Sequence, residues 1–204
     1  MSILLQNKIQ ESTLHKAGEQ LGTYYLASDP THYEIQRSNT FLFYVNGLSK
    51  MLDIPQNTYA ADNADDVIRL SVNKASIPHF TQSAISLKRG NNTMKFAGTP
   101  EFDQGSISVT DFIGAGTKDI LMAWQGKSYD VKTEKVGLAT DYKKDAYLLE
   151  YTPDYQLVRT WKLMGCWISS ISEPEYSHDS GADKRSIDVK IEYDKAWIDT
   201  SDIG

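Results

Sequence analysis

The chain has 204 residues and a formal net charge of −6, so it is long enough to bury a substantial hydrophobic core in one large domain. The acidic balance argues against a general nucleic-acid binder, because neutralising phosphates requires a basic surface. The single cysteine, Cys166, excludes an intramolecular disulfide, and we interpret it as a small apolar strand residue in a protein of a reducing compartment.

The first part of the chain has a rough helical stripe of apolar residues through Leu5 and Ile9. We predict an N-terminal arm over residues 1–37, which either packs on the main domain or contacts a neighbouring subunit. The apolar run Ile3–Leu5 has no basic region before it, so no signal peptide is predicted. No apolar run approaches the length of about eighteen residues that a transmembrane helix needs.

Residues 38–204 are predicted to form the main domain, which opens with a strand. Phe41, Phe43 and Val45 alternate with neighbours that are also apolar, and Asn46-Gly47 then turns the chain. A strand that is apolar on both sides is typical of the interior of a fold. We therefore predict a core strand that is covered on both faces.

The next stretch, residues 48–66, is predicted to be a polar, turn-rich insertion. Its acidic cluster, Asp62–Asp66, superficially suggests calcium binding. The cluster lacks the alternating oxygen ligands, the central glycine and the distal glutamate of a calcium loop, so we interpret it as a solvated loop.

A long hairpin is predicted after the insertion. Ile68, Leu70 and Val72 alternate with polar residues, and the sequence Lys88–Asn92 has the composition of a turn. The range Ile68–Gly98 carries a charge of +5, which leaves −11 on the rest of the chain. The basic residues either cover a solvated face or meet an acidic surface of another copy.

One internal helix is predicted, after a half-buried strand at Ile107 and Val109. Thr117 is a suitable N-cap, and Gly126 is expected to end the helix. The preceding Gly114–Gly116 lacks the Lys-Ser/Thr ending of a phosphate-binding loop, so we interpret it as a flexible linker.

The last third of the chain contains the clearest strand signals. Ala146–Tyr151 is predicted to be a strand, and a second strand begins at Leu157 and bends or bulges at Gly165. The final strand, Ile187–Tyr193, alternates strictly between apolar and charged residues. We therefore predict a mostly β fold: an antiparallel β-sandwich or barrel with one flanking α-helix.

No pattern for catalysis, cofactor binding or metal binding is found. The four histidines have no partner at metal-ligand spacing, and no Gly-x-Ser-x-Gly elbow occurs. Glu173 and Glu175 flank Pro174, so we interpret them as loop carboxylates rather than an acid/base pair. We expect no cofactor and no enzyme.

The order of these features resembles the tail-tube protein of contractile-tailed bacteriophages, which is related to the tubes of contractile injection systems. The resemblance extends from Asn39 to Trp197. It depends on the opening strand, the long hairpin, a helix that contains Trp124-Gln125, the Tyr142–Lys144 segment, and the Trp-x-Leu-x-Gly-x-Trp run before the final strand pair.

The resemblance implies a virion protein that forms hexameric rings, whose sheets join edge to edge into a β-barrel. Stacked rings would form the inner tube of the tail, assembled in the host cytoplasm, as the conduit for DNA ejection. The implied partners are further copies of the chain, the tail sheath and the baseplate, with no membrane. Tape-measure protein and phage DNA would pass through the lumen without specific binding.

One contact hypothesis follows from the charges. Lys88 and Arg89 would lie at the rim of a ring and contact Glu173, Glu175 and Asp179 of the next ring. Two alternatives within the structural class are a baseplate tube-initiator and a secretion-system tube protein.

The alternative from another class is a β-sandwich module in which exposed aromatic residues bind a ligand. The positions of three tryptophans, Trp161, Trp167 and Trp197, discriminate between the two classes. A cluster on one open face favours ligand binding, whereas burial at sheet or subunit interfaces favours a tube.

Overall fold

The computed structural model describes residues 35–52, 64–172 and 184–200. The strands and helices below all belong to the compact unit Asn39–Gly204. The predicted division into a 1–37 arm and a 38–204 domain stays a prediction.

The described residues form eleven strands. Their bounds are β1 Phe41–Val45, β2 Val72–Ala75, β3 Phe80–Arg89, β4 Asn92–Phe102, β5 Gly105–Thr110, β6 Tyr129–Asp130, β7 Lys135–Val136, β8 Lys144–Tyr151, β9 Leu157–Ser172, β10 Ser186–Glu192 and β11 Lys195–Asp199. The helices are α1 Leu48–Leu52, α2 Ala64–Ser71, α3 Thr117–Ser128 and α4 Ala139–Tyr142, and a 3-10 turn covers Ile113–Ala115.

Seven strands share one hydrogen-bonded system in the order β1-β8-β9-β10-β5-β2, with β11 also paired to β9. All of these pairings are antiparallel. The first half of β9 lies between β8 and β11, and its second half pairs with β10. The mostly β, antiparallel fold class predicted from the sequence is therefore confirmed.

The central strand β9 changes partners at Gly165, which has a φ of 69°. This left-handed conformation favours glycine because a Cβ would collide with the following carbonyl group. The predicted bend at Gly165 is thus confirmed, and it lies where β9 passes from the β8/β11 group to the β10 group.

The strict alternation in β10 is confirmed as a half-buried strand. Ile187, Val189 and Ile191 are buried, whereas Asp188 and Lys190 are exposed. The buried set joins apolar residues from the other strands and from α1, α2 and α3 in one core: Phe43, Val45, Leu48, Leu52, Val67, Ile68, Ile107, Val109, Ile120, Leu121, Trp124, Leu148, Leu163, Cys166 and Ile168.

The opening strand β1 differs from the prediction that both of its faces are covered. It is the terminal strand of its group, paired to β8 alone. Phe43 and Val45 are buried, but Leu42 and Tyr44 on the other face are only half-buried. The apolar character of that second face therefore does not reflect full burial in a single copy.

The strand predicted to start at Ile68 is wrong, because this stretch forms α2. Ala64, Val67, Ile68 and Ser71 are buried, which is the i, i+3, i+4, i+7 spacing of a helix packed on a core. Only Val72–Ala75 continues as a strand, β2.

The interval predicted as a solvated insertion contributes to the core at both ends. Leu48 and Leu52 of α1 are buried, as is Ala64 at the start of α2. The Asp65 carboxylate accepts a 2.6 Å hydrogen bond from the backbone N–H of Leu48, so it satisfies a donor at the start of α1. Residues 62 and 63 of the acidic cluster lie outside the described residues.

The flanking helix α3 is confirmed, but both of its predicted ends are wrong. Gly116 in the left-handed region is the N-cap, and Thr117 is the first helical residue. Thr117 is fully buried, with its hydroxyl 3.2 Å from that of Ser71, so it joins α3 to α2 instead of capping a helix end. Gly126 does not stop the helix, which continues to Ser128.

Candidate functional site

The hairpin formed by β3 and β4 is a long and largely exposed element. The two strands make a separate two-stranded sheet, and every residue of β3 is exposed. The connecting turn contains Gly90, whose φ of 62° fits the glycine predicted there. The predicted long hairpin and its turn are confirmed, although the hairpin begins at Phe80 rather than at Ile68.

The two faces of this hairpin differ sharply in chemistry. The register pairs Ile85 with Phe96 and Leu87 with Met94, which places these four side chains on one face. They are 60%, 50%, 50% and 47% exposed for Ile85, Leu87, Phe96 and Met94, respectively. We call these four residues the apolar hairpin face.

The opposite face carries Lys88 and Lys95, paired in register with Thr93 and Ser86. We call Lys88 and Lys95 the basic hairpin face. Arg89 follows Lys88 and pairs with Asn92, so it lies at the tip on the apolar side. The two basic residues that the sequence hypothesis grouped together are therefore both exposed but lie on opposite faces.

The acidic partners of that hypothesis, Glu173, Glu175 and Asp179, lie outside the described residues. Their contact with Lys88 and Arg89 of another ring stays a prediction.

An aromatic cluster connects the base of the hairpin to the sandwich. The Phe80 and Phe102 rings lie 5.7 Å apart, and the Phe102 ring meets Tyr193 edge-on at 6.0 Å. The Tyr193 hydroxyl donates a 3.5 Å hydrogen bond to the carbonyl of His79, and burial raises the pKa of Tyr193. These contacts fix the root of the hairpin and leave its outer part without packing partners among the described residues.

A second exposed apolar surface surrounds a concave pocket beside α2. The pocket has a volume of about 390 Å³ and is lined by Asp66, Val67, Arg69, Leu70, Ser71, Phe112 and Ala115. Leu70 is 71% exposed, and Phe112 and Ile113 are 46% and 96% exposed. We call this region the Leu70 pocket.

Sequence reasoning missed this pocket because it treated Leu70 as a strand residue. The available signal was helical periodicity, since Leu70 is the one large apolar residue of α2 outside the buried stripe of Val67 and Ile68.

A row of side chains crosses the outer face of the β1-β8-β9-β11 group. Tyr44, Tyr147, Lys162 and Trp197 are neighbours in register. The Tyr44 and Tyr147 rings stack at 5.0 Å, and the Lys162 ammonium lies 5.7 Å from the Tyr147 ring and 5.8 Å from the Trp197 ring. The Tyr147 phenol, and then Asp145, raise the pKa of Lys162.

The three tryptophans that discriminate between a tube and a ligand-binding module do not share one face. Trp161 packs against the core and donates a 2.7 Å hydrogen bond to the Glu150 carboxylate. Trp197 is 40% exposed and lies on the opposite face of the same strands, because its register partner is Lys162 rather than Trp161. Trp167 lies beyond Gly165 and is half-buried. This arrangement gives a stacked-ligand platform no support.

No chemical centre stands out in the part of the chain that the structure describes. Within it, no group of three or more His, Cys, Asp or Glu side chains is arranged to hold a metal ion. Cys166 is fully buried, and burial raises the pKa of its thiol to about 12, which suits the predicted apolar role. None of the described helices is long and apolar enough to cross a membrane.

Comparison with known proteins gives matches only at the level of structure. No protein-family model and no curated protein matches the sequence. The chain is similar to one from the extended sheath-tube complex of PVC, an extracellular contractile injection system, with a TM-score of 0.58. The identity is 15%, over 85% of this chain and 96% of that one. This is a tube-protein fold.

Two further structures agree. A chain of the PVC sheath/tube terminator has a TM-score of 0.57 and 16% identity, over 83% of this chain and 99% of that one. A chain of the anti-feeding prophage baseplate has a TM-score of 0.56 and 11% identity, over 80% of this chain and 95% of that one. The tail-tube resemblance found in the sequence is therefore confirmed for the fold, and these matches come from structural assemblies rather than enzymes.

Proposed function

We propose that the chain is a structural subunit that forms hexameric rings, and that these rings stack into the inner tube of a contractile phage tail. The observation that carries the proposal is the tube-protein fold together with a large hairpin whose apolar face is uncovered in a single copy. The tube-protein fold by itself supports many assemblies, so the exposed surfaces must supply the function.

Strand edges provide the first of these surfaces. Among the described strands, β1 and β11 end the group β1-β8-β9-β11, and Trp197 and Ile198 of β11 are exposed. A free strand edge is an aggregation hazard in a monomer, but it becomes an interface when copies join edge to edge. Closure of such contacts in a ring would remove the free edges.

The charge distribution is compatible with a conduit. Outside the basic range Ile68–Gly98, the chain carries a charge of −11. A negatively charged surface repels phosphates, so DNA could move past it without being retained. The sheath and baseplate are the proposed protein partners, and tape-measure protein and DNA would pass through the lumen without specific binding.

Negative-stain electron microscopy of the purified protein over a concentration series tests the proposal. We expect rings or hollow tubes of uniform width. Isolated rings that never stack would favour the alternative function of a baseplate tube-initiator. Assembly with secretion-system components would favour a secretion-system tube protein. A protein that stays monomeric at all concentrations and with a baseplate template would contradict the proposal.

The inter-ring hypothesis has its own test. The double substitution Lys88→Glu and Arg89→Glu should leave the monomer folded, since both side chains are exposed, and should shorten or abolish tubes. Lys132→Glu is a matched control, because Lys132 is also exposed but lies in the separate β6–β7 turn. Tubes of normal length from the double variant would rule out these two residues as a ring contact.

A further inference from the structure

We propose that the apolar hairpin face of one copy binds in the Leu70 pocket of a second copy. This inference rests on the proposed function and deepens it, because it names both surfaces of one contact between subunits. The basic residues then flank an apolar contact instead of forming the contact by themselves.

The hairpin needs a binding partner for its own stability. An isolated two-stranded hairpin is at best marginally stable in water, and its outer part has no packing partner among the described residues. Four large apolar side chains, about half exposed, lie together on one face. Such a contiguous apolar patch marks an interaction site.

The Leu70 pocket has the shape and chemistry to accept that face. Its volume of about 390 Å³ is within the range of sites that enclose small apolar groups. Leu70 and Phe112 line it, and Ile113 stands beside them almost fully exposed. A protruding pair such as Leu87 and Phe96 would insert between them.

The charges of the two surfaces are complementary. The hairpin Phe80–Phe102 carries three basic residues and one acidic residue, a net charge of +2. The two charged residues that line the pocket, Asp66 and Arg69, form an ion pair of 2.9 Å. The wider segments that flank the pocket, 64–71 and 111–119, together carry four aspartates against one arginine and one lysine, a net charge of −2. An apolar centre with a charged rim is the usual organisation of a protein interface.

The two surfaces also satisfy the symmetry of a ring or a tube. The hairpin and the pocket are different parts of the chain, and both are exposed in a single copy. A contact between different surfaces is heterologous, so it generates closed rings or open stacks rather than a two-fold dimer. Two other exposed apolar sites fit less well: β11 offers a strand edge for backbone pairing, and β6–β7 is itself a protruding turn.

Disulfide trapping between two single-site variants tests the contact directly. Leu87→Cys and Phe112→Cys proteins are mixed under mild oxidation, and Cys166 stays in place because its thiol is fully buried. Ser86→Cys is the matched donor control, since it lies next to Leu87 but on the opposite face. Val131→Cys in the β6–β7 turn is the acceptor control, because Val131 is 81% exposed.

We expect the Leu87→Cys and Phe112→Cys mixture to cross-link at least about tenfold more than either control mixture, because a disulfide requires Cα atoms within about 7 Å. Equal cross-linking of the controls overturns the docking. If rings form but the cross-link does not, the docking is overturned and the proposed function is not. If neither the rings nor the cross-link forms, the proposed function is overturned as well.

A non-covalent pair of variants gives an independent readout. Leu70 and Leu138 are both 71% exposed, so Leu70→Glu and Leu138→Glu should leave the fold of the monomer equally intact. Only Leu70→Glu places a charge in the proposed contact, and it should raise the concentration at which assembly begins by at least about tenfold. Equal onset concentrations for the two variants would contradict the proposal.

Discussion

The substitution Gly165→Ala is expected to destabilise the sandwich at the point where β9 changes partners. Residue 165 has a φ of 69°, which costs an L-residue about 1–2 kcal/mol. A Cβ at this position would also collide with Oδ2 of Asp194 and lie only 3.0 Å from its Cγ, so the Asp194 side chain would have to shift. Asp194 would have to move away from Lys143, whose ammonium lies 2.6 Å from its carboxylate.

The expected magnitude follows from these two effects. Both ion-pair partners are partly exposed, so the loss of their contact adds at most about 1 kcal/mol. We therefore expect the free energy of unfolding to fall by about 1–3 kcal/mol, which lowers the urea midpoint by about 0.5–1.5 M at an m value of about 2 kcal/mol/M. Equilibrium urea unfolding followed by tryptophan fluorescence measures this change.

A matched glycine provides the control. Gly126 lies in the interior of α3, and a Cβ there would have no heavy atom within 4 Å. Gly126→Ala should therefore stabilise the protein by about 0.5–1 kcal/mol. In a protein that already carries Asp194→Ala, Gly165→Ala should still lower the free energy of unfolding by about 1–2 kcal/mol, because the left-handed backbone conformation remains unfavourable for alanine. Unchanged or increased stability of Gly165→Ala would refute the reasoning.

Two further predictions concern buried side chains. Trp124→Phe removes the 2.9 Å hydrogen bond from the indole N–H to the Tyr142 carbonyl. The free energy of unfolding, measured by urea titration, should fall by about 1–3 kcal/mol. An unchanged value would show that this hydrogen bond contributes nothing to stability. Burial raises the pKa of Cys166 to about 12, so the folded state holds the neutral thiol more tightly than the unfolded state does. Its contribution to stability should be complete below about pH 9 and disappear as the pH rises towards about 12. Cys166→Ala should lack this part of the alkaline destabilisation, and identical pH profiles would contradict the assignment.

The parts of the fold that were predicted from the sequence are those with one local pattern. In β10, Ile187 and Val189 alternate with charged residues, and no helical spacing competes with that alternation. The bend at Gly165 was also predictable, because glycine is the residue that tolerates left-handed backbone.

The segment from Ala64 to Ser71 was misread because it carries two patterns at once. Ile68, Leu70 and Val72 alternate as in a strand, but Val67 and Ile68 also lie on one side of a helix. The packing of α2 against the core decides between them, and a local pattern does not contain that information.

The candidate site could be predicted in position but not in organisation. The basic composition indicated an exposed turn around Lys88 and Arg89, and the structure exposes both residues. Lys88 and Arg89 lie on opposite faces because they are consecutive residues of β3 and not residues of the turn. The pairing register of β3 and β4 decides which residues of β4 share each face with them. The apolar hairpin face and the Leu70 pocket emerge only once that register and α2 are known.

The continuity of β9 through both strand groups has a consequence for cooperativity. Because β8 and β11 pair with its first half and β10 pairs with its second half, neither group can open without disturbing the shared strand. The two groups should therefore open as one unit, and the slowest-exchanging amides of β8 and β10 should report the same opening free energy. A subunit built in this way would respond to mechanical load as a single body, with no half that yields first.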